Sequence, residues 1–107
     1  MEFYQAVRDI CTSAGINADD VMFKDTVNYF NVSYQRPTKW FIRFFGDAKR
    51  KNVVSPVPLE EAKQLAPNFE VEQAPPVGVS RVYLDSGAQI RSLNELVVRS
   101  DKATFLL

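Results

Sequence analysis

Six bases crowd one stretch of this chain. Arg36, Lys39, Arg43, Lys49, Arg50 and Lys51 lie between Tyr34 and Ser55 against a single acid, Asp47, with Trp40, Phe41, Phe44 and Phe45 interleaved. Cations draw phosphates, and an exposed ring stacks on a base, so these residue types together point to a nucleic-acid surface. The pattern is also that of a strand core with a basic solvent face and basic turns, since aromatics at a period of two are most often core. Total charge does not choose between them, because 13 Lys and Arg balance 13 Asp and Glu.

A second constellation is Asp47-Ala48-Lys49, which imitates the D/E-x-K half of a restriction-nuclease site, with Asp25 as the upstream carboxylate. In that chemistry the acids hold Mg²⁺ and the lysine supports the attacking water. Gly46-Asp47-Ala48 equally reads as hairpin-turn chemistry, and Glu60-Glu61-Ala62-Lys63 as the solvated face of a helix. Asp19-Asp20 lacks the alternating ligand spacing of a calcium loop. The serines have no histidine to activate them, because the chain contains none, and one cysteine without histidine makes no zinc site. Neither catalysis nor a cofactor is expected, and the site residues are the six bases.

The elements that must position those bases follow from hydrophobic period. Phe30, Val32 and Tyr34 alternate along 29–34, and Trp40, Ile42 and Phe44 along 39–45. Both runs are β-branched or aromatic and bounded by turn formers, which is the strand signal. The link through Arg36, Pro37 and Thr38 is short enough for an antiparallel hairpin. A third strand is expected over 52–57, after the basic turn 46–51. On the middle strand, Phe41, Arg43 and Phe45 are expected on the face opposite Trp40, Ile42 and Phe44.

Elsewhere, Phe3, Val7, Ile10, Cys11 and Ala14 form one apolar helical stripe, closed by Gly15. Residues 21–23 read equally as a short strand or as the rim of the hairpin. Pro58 followed by Leu59, Glu60 and Glu61 opens a short helix that Pro67 stops. Residues 67–78 read as a loop, and 79–84 as a fourth strand. Ser92-x-x-Glu95 is a capping-box pattern for a last helix, with Leu93, Leu96 and Val97 inward. That helix continues to Leu107 or breaks near Ser100.

With 107 residues and 46% apolar content, one domain over 1–107 with its own core is expected. A lone Cys11 forms no internal disulfide, and no apolar run reaches the ~20 residues of a membrane span. A cytoplasmic, soluble protein is the expectation. Its fold class is α+β, a small antiparallel sheet of about four strands with the N- and C-terminal helices packed on one face.

The order of segments resembles a known family. Asp25-Thr26-Val27-Asn28-Tyr29-Phe30 matches a D-T-x-x-Y-F strand, and Ile42-Arg43-Phe44-Phe45-Gly46 a strand ending in a C-R-L-Y-F-N-like run. Residues 49–54 approximate a basic K-K-Y-I segment, and Ser92-Leu93-Asn94-Glu95-Leu96 echoes a closing S-L-x-x-[ILV] helix. These features resemble the C-terminal domain that follows the nuclease domain in bacterial proteins related to the N-terminus of the type I restriction enzyme R-subunit. The resemblance covers 2–54 and, more weakly, 92–100; the stretch 56–90 is longer than the family's.

That family's nuclease domain has no counterpart here, so no catalytic residue carries over. What the resemblance implies is a non-catalytic accessory domain of a restriction-modification or phage-defence protein. Joined to the basic hairpin, it gives weak, non-specific DNA contact as the expected function. The alternative is a protein-interaction or homodimerisation module with no nucleic-acid role, and a Mg-dependent nuclease fragment is the third reading.

Overall fold

The computed structural model describes residues 2–36 and 38–105. Three strands form the expected antiparallel meander: β2 (Phe30–Tyr34), β3 (Trp40–Phe45) and β4 (Asn52–Ser55). The sheet is larger than expected, with six strands rather than about four, in the order β1-β2-β3-β4-β6-β5. The undecided stretch is a full edge strand, β1 (Val21–Asp25), and the segment read as loop contains β5 (Val71–Gln73) at the other edge. The last strand, β6 (Ser80–Tyr83), inserts between β4 and β5, and every pairing is antiparallel.

The period-3.6 stripe forms α1 (Glu2–Ser13), burying Phe3, Ala6, Val7, Ile10 and Cys11. Gly15, at φ 84°, turns the chain out, and the Ile16 N–H bonds back to the Cys11 carbonyl at 2.9 Å. This is the left-handed cap that glycine permits without steric cost. Helix α2 (Leu59–Leu65) leads into β5. A 3₁₀ segment over Gly87–Ser92 precedes α3 (Asn94–Phe105), so the last helix starts inside the proposed Ser92-x-x-Glu95 box rather than directly after Ser92. It runs unbroken through Ser100, whose hydroxyl donates to the Leu96 carbonyl at 2.7 Å. Pro37 and the helix extension to Leu107 lie outside the described residues.

Helices α1 and α3 pack on one face of the sheet. Phe3 stacks on Phe44 at 4.4 Å and meets Phe30 edge-on at 6.3 Å, over a layer that includes Val32, Ile42, Val53 and Val82. Leu93, Leu96 and Val97 join this core, as expected from their spacing.

Strand β3 departs from simple alternation. Val32 pairs with Ile42 but Ser33 pairs with Trp40, so Phe41 is an extra residue in a β-bulge. Phe41 is therefore fully buried, and Trp40 turns to the second face with Arg43 and Phe45, correcting the expected order. A bulge frees ladder groups. Here Thr104 of α3 donates its hydroxyl to the Trp40 carbonyl at 2.5 Å.

The chain from Ala74 to Val79 folds back across the second face. Gly78 lies so close to the sheet that a Cβ there would sit 2.3 Å from Val54 Cγ1 and 3.0 Å from the Trp40 ring. Only glycine fits that approach.

Candidate nucleic-acid interface

The six expected site residues do not share a surface. Arg36 and Lys39 lie in the turn before β3, where the Lys39 N–H bonds to the Arg36 carbonyl at 2.9 Å. Lys49, Arg50 and Lys51 lie in the turn after it. A six-residue strand is ~20 Å long, so the two clusters stand at opposite ends of the sheet.

Arg43, between them, is committed within the protein. Its Nη1 donates to the Val77 carbonyl at 2.5 Å and its Nε to Asn31 Oδ1 at 3.3 Å. The guanidinium lies 4.0 Å from the Trp40 ring centre and 4.9 Å from that of Tyr29. Two hydrogen bonds and two ring contacts tie the guanidinium in place, so Arg43 holds the 74–79 loop down.

The turn 46–51 is the richer end. Lys49, Arg50 and Lys51 are all exposed and form one wall of an open groove of about 590 Å³, with Phe69, Glu70, Tyr83 and Asp85 among the residues around it. Arg50 forms a two-pronged pair with Glu70, at 3.1 and 3.2 Å, and its guanidinium covers the Tyr83 ring at 3.9 Å. The hydrogen bond from Arg50 holds the Glu70 carboxyl below its ordinary value. Tyr83 donates its hydroxyl to Glu72, whose acceptance pushes the phenol's titration up. Arg50 is thus a strut between the β3–β4 turn and the β5–β6 ladder. Lys49 and Lys51 have no ion-pair partner among the described residues.

The nuclease-like trio is not gathered into one site. Asp25 and Asp47 both line a small cavity of about 160 Å³ by the β1–β2 turn, whereas Lys49 lines the large groove. Among the described residues no group of three or more His, Cys, Asp or Glu side chains is placed to hold a metal ion. Cys11 is buried, and desolvation pushes its thiol up to about 12. No helix among the described residues is long and apolar enough to cross a membrane.

Sequence patterning pointed to the tip lysines but not to their surroundings. Glu70 and Tyr83 reach the tip only because β6 inserts beside β4, a pairing with no local signal. The chain matches no family model, no curated protein and no solved structure.

Proposed function

We propose that this chain is a non-catalytic accessory domain that contacts nucleic acid, DNA foremost, through the tip of the β3–β4 hairpin. One observation carries this reading: Lys49 and Lys51 are exposed, lack an ion-pair partner among the described residues, and flank an arginine braced by Glu70 and Tyr83. Lysines on a supported turn neutralise phosphates without first breaking an internal bond, so contact is electrostatic and largely blind to sequence. Arg36 and Lys39 form a separate, smaller patch, and Arg43 acts by pinning the loop. The setting, a restriction-modification or phage-defence protein of bacterial type with the domain in the cytoplasm, rests on the sequence resemblance alone.

The test uses the double variant Lys49→Glu/Lys51→Glu, which leaves the Arg50–Glu70 strut in place. Duplex DNA binding by the parent should fall with salt at a slope of roughly −0.9 per phosphate contacted. The variant should lose that binding while melting at the parent's temperature. Undiminished binding in the variant, with loss in Arg36→Glu/Lys39→Glu, would move the site to the other end of β3.

The alternative, a protein-interaction or homodimerisation module, is favoured by a different observation. Met22, Phe23 and Val27 are exposed at 39%, 55% and 96%, all along the β1 edge and its turn. An edge strand with partly exposed apolar side chains is open to strand addition. The Val21 carbonyl is already taken by the Tyr4 hydroxyl at 2.8 Å, and Lys24 puts a charge on the strand, both of which blunt the edge. A salt-insensitive dimer in gel filtration over a concentration series, without DNA binding, is the outcome that would favour this module.

A further inference from the structure

Beside the tip lies a second groove, of about 440 Å³, on the face of the sheet away from α1 and α3. Its size falls in the ~300–1,000 Å³ range of small-ligand sites. The floor is aromatic: the Tyr29 and Phe45 rings meet at 5.3 Å with a 44° tilt. Val77 forms a wall, and that wall is fixed, because Arg43 holds its carbonyl at 2.5 Å. Asn28 and Asp47 supply amide and carboxylate groups around the same groove. Ala48 completes the lining, so the next residue along the chain is Lys49, which lines the groove on the other side of the turn.

We infer that this groove takes an unpaired nucleobase whose backbone phosphates lie on Lys49 and Lys51, so that the preferred ligand is single-stranded nucleic acid. The inference rests on the nucleic-acid reading of the tip and adds the strandedness of the ligand. A flat ring needs a π-face and an apolar wall, which Phe45 and Val77 provide, with Tyr29, whose ring already meets Arg43 at 4.9 Å, packed beside Phe45. Its edge needs donors and acceptors, which Asn28 and Asp47 provide. Its phosphate needs an unspent cation, and Lys49 follows Ala48 in the same turn. A paired base is stacked on both sides and cannot enter without leaving the helix. The Arg43 bond prepays the ordering of the wall, so little is left to organise on binding.

The test is fluorescence anisotropy on the intact chain with three labelled oligonucleotides of equal length: a single strand, the same strand with a run of abasic sites, and a blunt duplex. The abasic strand keeps the phosphates and lacks the rings. The parent should bind it about tenfold more weakly than the full strand. Phe45→Leu keeps an apolar side chain in the sheet and removes the ring face. This variant should bind both single strands as weakly as the parent binds the abasic one, and should melt close to the parent.

Equal binding of full and abasic strands by the parent overturns the base groove and leaves the tip reading standing. A groove that serves an apolar peptide side chain gives that same result. A preference that survives in Phe45→Leu also overturns the assignment. No binding of any oligonucleotide at low salt removes both readings.

Discussion

The two faces of the sheet are built from similar residues and held in different ways. Against α1 and α3, Phe3, Phe30, Phe44, Ile42 and Leu96 meet ring on ring and methyl on ring, and Ile42 and Leu96 have no exposed surface. On the second face the aromatics are half-buried and meet cations: Arg43 on Trp40 and Tyr29, Arg50 on Tyr83, and Arg81 within 5.9 Å of Phe45. The first arrangement excludes water and depends on fit. The second keeps ring faces near the surface and holds them in place with directional bonds. Aromatic content alone therefore does not mark a core; what lies over the rings decides it.

The sharpest way to break this comparison is to remove one anchor from each face. Phe3→Ala deletes a fully packed ring and should cost ~3–5 kcal/mol, lowering the melting temperature by more than about 12 °C. Arg43→Met keeps the stem buried but loses the Val77 bond and both ring contacts. It should cost only ~1–2 kcal/mol, with a change in Trp40 fluorescence that Phe3→Ala does not reproduce in its folded state. Equal costs would mean that the second face is a core in its own right.

An effect smaller than that of Phe3→Ala comes from a carboxyl buried on the helical side. Asp101 is 4% exposed, near Cys11 and Tyr34, and burial raises its pKa from 3.8 to about 6. The folded protein therefore holds a proton that the unfolded chain has already released between about pH 4 and 6. The favourable contribution of the protonated carboxyl is complete below that window and is lost as pH rises through it. Asp101→Asn should remove this fall and gain on the order of 2 kcal/mol at pH 7 over the parent, read from urea midpoints across that range. An unchanged pH profile would show that the carboxyl is solvated after all.

The smallest effect is expected at the strut. Arg50 and Glu70 are 56% and 59% exposed, so Glu70→Ala should shift the melting temperature only slightly, and not at all in ~1 M salt. Its measurable consequence should be a weaker hold on the tip rather than a weaker fold.

Strands β2 to β4 were legible because alternation survives in Phe30-Asn31-Val32, and the β-branched pair Val53-Val54 follows clear turn signals. Strand β5 was not, since Val71-Glu72-Gln73 offers one apolar residue and owes its conformation to pairing with β6. The bulge left a trace that period counting passed over: Trp40-Phe41-Ile42 is an unbroken apolar run in a strand that is otherwise two-sided. The split of the bases was readable too, because residues before and after a six-residue strand must lie at its two ends. Arg43 and Val77 are 34 positions apart, and no local pattern connects them.

The chain leaves β4 at Ser55 and enters β6 beside the same residue. The Val79 N–H bonds to the Ser55 carbonyl at 3.0 Å, and the Ser55 and Ser80 hydroxyls meet at 2.7 Å. Everything between, including α2, β5 and the loop over Arg43, is a closed excursion whose two ends are already neighbours. Lengthening such a loop costs little entropy, about 0.6 kcal/mol for each doubling. The two ends of the excursion thus meet at one point of the sheet, and Arg43 and Arg50 tie its middle to the meander. A change of length in its exposed turns therefore alters what reaches Phe45 and Tyr29 while the Ser55–Ser80 closure stays in place.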